Sequence, residues 1–193
     1  MGIENEYEGK VVLVTGGAGC IGTNLSRKLA ELNAEKVIIL DDLSSAYEWN
    51  IPKAKNIVFV KGSVLDDGML KRVFKENPDY VFHLAAHFAN QNSVDNPETD
   101  LMVNGVGTLK VLQYAHLVNV KRFVYSSSGC GVYGLDSKMP FEEHESCLES
   151  YIPTTSIICM VFLSLMQGSS MFMDLARCQE DTGTLYQTSF TGR

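Results

Sequence analysis

Three glycines at three-residue spacing, Gly16, Gly19 and Gly22, lie within the stretch VTGGAGCIG. Before them runs KVVLVTG (10–16), a short apolar segment ending in glycine, as suits a strand covered on both faces. After them comes CIGTNLSRKLAELN (20–33), with Ile21, Leu25, Leu29 and Leu32 at helical spacing. A strand that turns at once into a helix needs a tight reversal, which Gly16 permits. Gly19 leaves room for backbone to approach a pyrophosphate, and Gly22 lets the helix pack close to the strand. The first amides of the helix then face the phosphates, and the helix dipole favours negative charge there.

The same alternation continues along the chain. KVIILDD (36–42) and NIVFVKG (56–62) read as strands, DDGMLKRVFKEN (66–77) as a helix and DYVFHLAA (79–86) as a strand. A long helix from about Pro97 to Leu117 and the strand KRFVYSSS (121–128) follow. Pro78 stops one helix and Pro97 suits the start of the next. Strands alternating with helices predict an α/β fold, a Rossmann-like doubly wound parallel sheet, here incomplete on its C-terminal side. After about residue 150 the alternation fails. Residues 1–155 therefore read as one domain and 156–193 as a divergent tail.

Composition narrows the function. The net charge of −7, with no basic run, argues against nucleic acid or an anionic membrane as partner. The apolar run from Ile157 to Met166 is too short to span a bilayer, which takes about 20 residues. Five cysteines without paired spacing suggest reduced thiols in a cytoplasmic protein and no metal site. Asp41 closes the second strand about twenty residues beyond the glycine turn, where a carboxylate accepts hydrogen bonds from the adenosine ribose. Such an acid repels a 2′-phosphate, so NAD is the expected cofactor rather than NADP.

The segments TGGAGCIG, VIILDDLSSA, VFHLAA, VNGVGTL and YSSSGCGVYG occur in that order. On these motifs the chain, from about Lys10 to Thr155, resembles the extended short-chain dehydrogenase/reductase family. The likeness is to its NAD-dependent epimerases and dehydratases of UDP-sugars. The resemblance implies roles for particular positions. Cys20 and Ile21 would lie against the pyrophosphate, and Asp41 would hold the ribose with Asp42, Leu43 and Ser44 beside it. Ser63 and Val64 would flank the adenine, although the family often has Asp at the first of these. Leu84, Ala85 and Ala86 would line the middle of the cofactor, and Asn104 would stand near its nicotinamide end. Ser44 and Ser63 read equally well as turn residues. His83 and His87, flanking this segment, read as structural rather than catalytic. Ser128, with Ser127 as the close alternative, falls where the family hydrogen-bonds the substrate hydroxyl; a serine that merely caps the turn remains open. The resemblance implies a nucleotide sugar as partner and a possible homodimer, which the family often forms through the long helix and the helix that should follow the fifth strand.

Hydride chemistry on a sugar alcohol needs a base. The family uses a tyrosine whose phenol, ordinarily of pKa ~10, is acidified by a lysine four residues on. Here Tyr151 is followed at that spacing by Thr155, with Pro153 between them. A neutral threonine supplies no such field, and proline would damage a helix presenting both groups. Two functions thus stay in view: an epimerase or dehydratase lineage, and an NAD-binding module or decayed fragment without turnover. The resembled sugar-nucleotide pocket comes largely from a further half that this sequence does not contain.

The break has a genetic explanation. From about Ile158, CMVFLSLMQGSSMF permits the string Y-G-V-S-K-L-N-A-G-E-Q-Y-V in a second reading frame. The first five letters are the missing motif. A frameshift is the first expectation and an alternative natural terminus the second. Sequencing the coding DNA across residues 150–170 should show codons that spell this string in the second frame; incompatible codons remove the explanation.

Overall fold

A computed structural model describes residues 5–88 and 90–126. Five parallel strands form one sheet: β1 (Val11–Thr15), β2 (Lys36–Asp41), β3 (Ile57–Lys61), β4 (Tyr80–His83) and β5 (Arg122–Tyr125). Their order is β3-β2-β1-β4-β5. The chain winds outward from β1 to β3, then crosses back to lay β4 on the other side of β1. This reversal is the topological switch point of a doubly wound sheet, the place where ligands of such folds bind. Register is fixed on both sides of β1, with Thr15 opposite Leu40 of β2 and His83 of β4.

Alternate residues of the strands feed two cores, as the period of a strand requires. Val12, Val14, Val37 and Tyr80 pack with Leu29 of helix α1 (Cys20–Glu31). Leu13, Ile38, Leu40, Val81 and Phe123 pack on the opposite face. They meet Leu70, Val73 and Phe74 of α2 (Asp67–Phe74) there, together with Val111, Leu112 and Ala115 from further along the chain. Helices on both faces explain why the central strands read as continuous apolar runs.

Local signals place the helix ends. The Asp66 carboxylate accepts hydrogen bonds from the Gly68 and Met69 amides at 2.7 and 3.2 Å, capping α2. Asn33, Asn77 and Asn119 all take left-handed backbone, with φ of 57°, 49° and 53°, just beyond helices. Asparagine tolerates that conformation better than most residues.

The structure differs from the sequence expectation in three places. A short helix, α3 (Asn90–Asp95), precedes Pro97. The long helix is not uniform: α4 (Pro97–Asp100) passes through a π-helical segment, Leu101–Gly107, into α5 (Thr108–Leu117). Gly105 and Gly107 weaken the α-helical preference there. A Cβ on Gly107 would lie 2.7 Å from Val64 Cγ2, so the widened turn sits close on the core. Strand β4 stops at His83, before Leu84–Ala86. The boundary near residue 155 lies outside the described residues.

Leu112 is 1% exposed, inside the α2–α5 core. Leu112→Ala should lower unfolding stability by about 2–5 kcal/mol, measured as a reduced denaturant midpoint with unchanged slope.

Candidate functional site

The turn after β1 occupies the switch point. Gly16 has φ +68°, and a Cβ there would lie 2.6 Å from the Ala85 nitrogen and 2.7 Å from the Leu84 carbonyl carbon. A Cβ on Gly22 would overlap the Gly16 carbonyl oxygen and come within 2.6 Å of Gly17 Cα. Gly17, which was not singled out from the sequence, is equally confined: its Cβ would meet Ile39 Cγ2 at 2.7 Å. Gly19 is different. Its backbone is extended, with φ −71° and ψ 174°, and the nearest atom to an added Cβ is Gly16 O at 3.4 Å. The fold leaves no room for a side chain at 16, 17 and 22, whereas a Cβ on Gly19 would make only an ordinary van der Waals contact.

Gly19 is also the N-cap of α1. It offers no side chain to the first-turn amides, and no acidic residue lies in that turn. Cys20 and Ile21 are exposed, Ile21 to 68%. An uncapped helix start beside an open glycine leaves orphan N–H groups and the positive end of the dipole for an anion.

Asp41 ties the end of β2 to this turn. One carboxylate oxygen accepts the Ala18 amide at 3.0 Å and the other the Leu43 amide at 2.8 Å. The second contact holds Leu43 in left-handed backbone, φ 63°. Each oxygen keeps acceptor capacity for a further donor. Asn50 Nδ2 donates to Ala18 O at 3.3 Å from the β2–β3 connection, so Ala18 is held on both of its backbone polar groups. Asp42 accepts the Ser44 amide at 2.9 Å, and both residues are exposed.

The remaining predicted positions divide. The Ser63 hydroxyl accepts the Leu65 amide at 3.2 Å, a turn-forming bond. The Val64 side chain is 4% exposed and belongs to the core, so only its backbone is left to face a ligand. Leu84 and Ala85 lie directly against Gly16, and Ala86 is exposed beyond them. Asn104 is half-buried in the π-helical segment. Its Oδ1 accepts the His87 amide at 2.7 Å, and its Nδ2 donates to His87 O at 3.1 Å and Asp100 Oδ1 at 2.6 Å. It is thereby a clamp on the segment after β4. Ser128 and Ser127, with Tyr151 and Thr155, lie outside the described residues.

Beneath the turn is a buried polar chain whose partners were not readable from sequence. Thr15 Oγ1 lies 2.7 Å from His83 Nδ1, and His83 Nε2 lies 2.9 Å from Thr108 Oγ1. The Thr108 hydroxyl donates to Asn104 O at 2.7 Å. Burial holds the His83 pKa down from 6.5 to about 4, so the ring is neutral. The structural expectation for His83 fits this geometry.

A Rossmann-like α/β protein is thus defined, with its candidate site at the switch point. Residues 12–156 match the family model of the NAD dependent epimerase/dehydratase family, and the chain belongs to that family. It is 39% identical over 134 residues to the UDP-glucose 4-epimerase of Mycolicibacterium smegmatis, a match covering 68% of this chain and 42% of that protein. Among solved structures, an epimerase from Methanothermobacter thermautotrophicus superposes with a TM-score of 0.75 at 67% identity, covering 83% of this chain and 48% of its own. A UDP-glucose 4-epimerase from Brucella ovis, solved in complex with NAD, gives 0.72 at 28% identity, with coverages of 84% and 49%. The chain spans about half the length of these relatives.

The His83 pKa sets a pH dependence. Between pH 6.5 and about 4 the unfolded histidine binds a proton and the folded one does not. Stability is therefore full above pH 6.5 and is lost as pH falls to about 4, by about 3 kcal/mol. Denaturant unfolding across this window should show the loss in the natural protein and lack this component in His83→Gln.

Proposed function

We propose that this chain is the cofactor-binding half of a nucleotide-sugar epimerase or dehydratase, and that in the sequence as given it binds NAD without turnover. The observation that carries the proposal is the open position of Gly19. The other glycines of the turn, 16, 17 and 22, have no room for a side chain, whereas a Cβ on Gly19 would meet only Gly16 O, at 3.4 Å, beside the uncapped start of α1. The residues fit a dinucleotide. Gly19, Cys20 and Ile21 would hold the pyrophosphate by their backbone, and Asp41 would accept from the ribose. Leu84, Ala85 and Ala86 would line the middle. When bound, NAD supplies the hydride acceptor for oxidation at a sugar carbon.

Support for a nucleotide-sugar substrate comes from the family and from the relatives named for UDP-glucose. Ser128 is the proposed partner of the substrate hydroxyl. The lack of turnover rests on Thr155 standing where a lysine would acidify the Tyr151 phenol. A second reading, a competent enzyme, is favoured only by the second-frame string, which restores that pair. A homodimer through the long helix belongs to the same proposal. Leu101, Met102 and Leu117 on that helix are 55%, 45% and 71% exposed, apolar surface of the kind that interfaces cover.

The full chain should show a rise in melting temperature with NAD. Gly19→Val should leave the melting temperature of the free protein within a few degrees but weaken NAD binding by about tenfold or more, since its side chain enters ligand space. Equal affinity in both proteins would contradict the placement of the cofactor. UDP-sugar turnover should be undetectable, and measurable epimerisation would overturn the assignment of an inactive chain.

A further inference from the structure

Thr15, His83 and Thr108 are 0%, 1% and 1% exposed, a place where three elements bury polar side chains together. An apolar filler would serve the core there at no desolvation cost. The proton positions along this chain are determined by a single donor. Thr108 gives its only proton to Asn104 O, so its oxygen must accept from His83. The imidazole therefore carries its proton on Nε2. Its Nδ1 is then an acceptor, and Thr15 donates to it. The Thr15 oxygen in turn accepts the Ala85 amide, at 3.4 Å. Every donor in the sequence from Ala85 to Asn104 has one acceptor.

Each end of this chain reaches the site. Thr15 immediately precedes Gly16, and Ala85 is the residue against which Gly16 packs. At the other end, Asn104 clamps both backbone polar groups of His87. The segment from Leu84 to His87 is consequently held at Ala85 by Thr15 and at His87 by Asn104, with His83 spacing the two anchors. Phe123 and Tyr125 of β5 flank the ring, at centroid distances of 6.0 and 5.9 Å, and limit its movement.

We propose that His83 is a positioning residue: its Nε2–H tautomer, held between Thr15 and Thr108, sets the placement of the 84–87 segment against the glycine turn and through it the affinity for NAD. The proposal rests on NAD binding as read above, and its test separates the two.

The experiment uses the full chain and four proteins: the natural sequence, Thr108→Val, Thr108→Ser, and Val73→Ala as a core control remote from the site. NAD affinity is measured by calorimetry, and amide hydrogen exchange is followed at Ala85 and His87 without ligand. Thr108→Val should weaken NAD binding by about tenfold and speed exchange at both amides. Thr108→Ser, which keeps the hydroxyl, should restore both. Val73→Ala should lower stability, leave NAD affinity unchanged and speed exchange at Ala85 and His87 no more than at other amides of the sheet. Exchange at Ala85 and His87 that is unaffected by Thr108→Val, or affinity lost equally in the core control, overturns the positioning role. Failure of the natural sequence to bind NAD overturns the cofactor reading, and with it the claim that His83 sets affinity; the exchange data would then still decide whether His83 places the segment.

Discussion

The backbone contact between Gly16 and Leu84–Ala85 is what the site depends on. Two strands that are neighbours in the sheet but 68 residues apart in sequence end at the same height, and their following segments touch. One added carbon at residue 16 would force them apart. That closeness seals the floor of the switch point, so what remains open lies above it, at Gly19 and the start of α1. The left-handed backbone at Gly16 and the carboxylate of Asp41 on Ala18 hold the turn in the one shape that achieves this.

The two ends of the sheet hold their polar groups in different ways, the N-terminal one half-buried and the C-terminal one buried. At the N-terminal end, Asp79 works with charge: burial opposes its ionisation, but Lys121 at 2.7 Å and the Val11 amide at 3.0 Å prevail and hold its carboxyl below the usual range. At the C-terminal end the buried groups of Thr15, His83 and Thr108 are neutral and satisfied by one another. The Thr15–His83–Thr108 chain therefore places no formal charge beneath the turn.

Much of this was legible in the sequence because short-range rules governed it. Apolar runs of strand length, helical spacing from Ile21 to Leu32 and the three glycines predicted the sheet, α1 and the turn between them. Asp41 was found from its spacing alone, although its bonds to Ala18 and Leu43 were not. The π-helical segment was not readable: Gly105 and Gly107 weaken helix preference without marking a widened turn, and the approach of Gly107 to Val64, 43 positions away, has no local signal. Gly17 was passed over because its constraint is the side chain of Ile39 in another strand. The hydrophobic side chain of Val64 lies in the core, which leaves its backbone for the adenine contact that the resemblance implies. The Thr15–His83–Thr108 chain joins residues from β1, β4 and α5, and no periodicity marks such a set. Asn104 was expected near the nicotinamide end of the cofactor, and its bonds to the His87 backbone and to Asp100 were not readable because they join separate segments.

The central claim is that an open, uncapped turn at the switch point receives a dinucleotide. Titration of the isotope-labelled full chain with NAD, followed through backbone amide resonances, tests it most directly. The account predicts saturable shifts concentrated at Gly19, Cys20 and Ile21, with smaller ones at Asp41 to Leu43 and Leu84 to Ala86. Shifts confined to another surface, such as that around Trp49 and Arg27, or none at all, would contradict it.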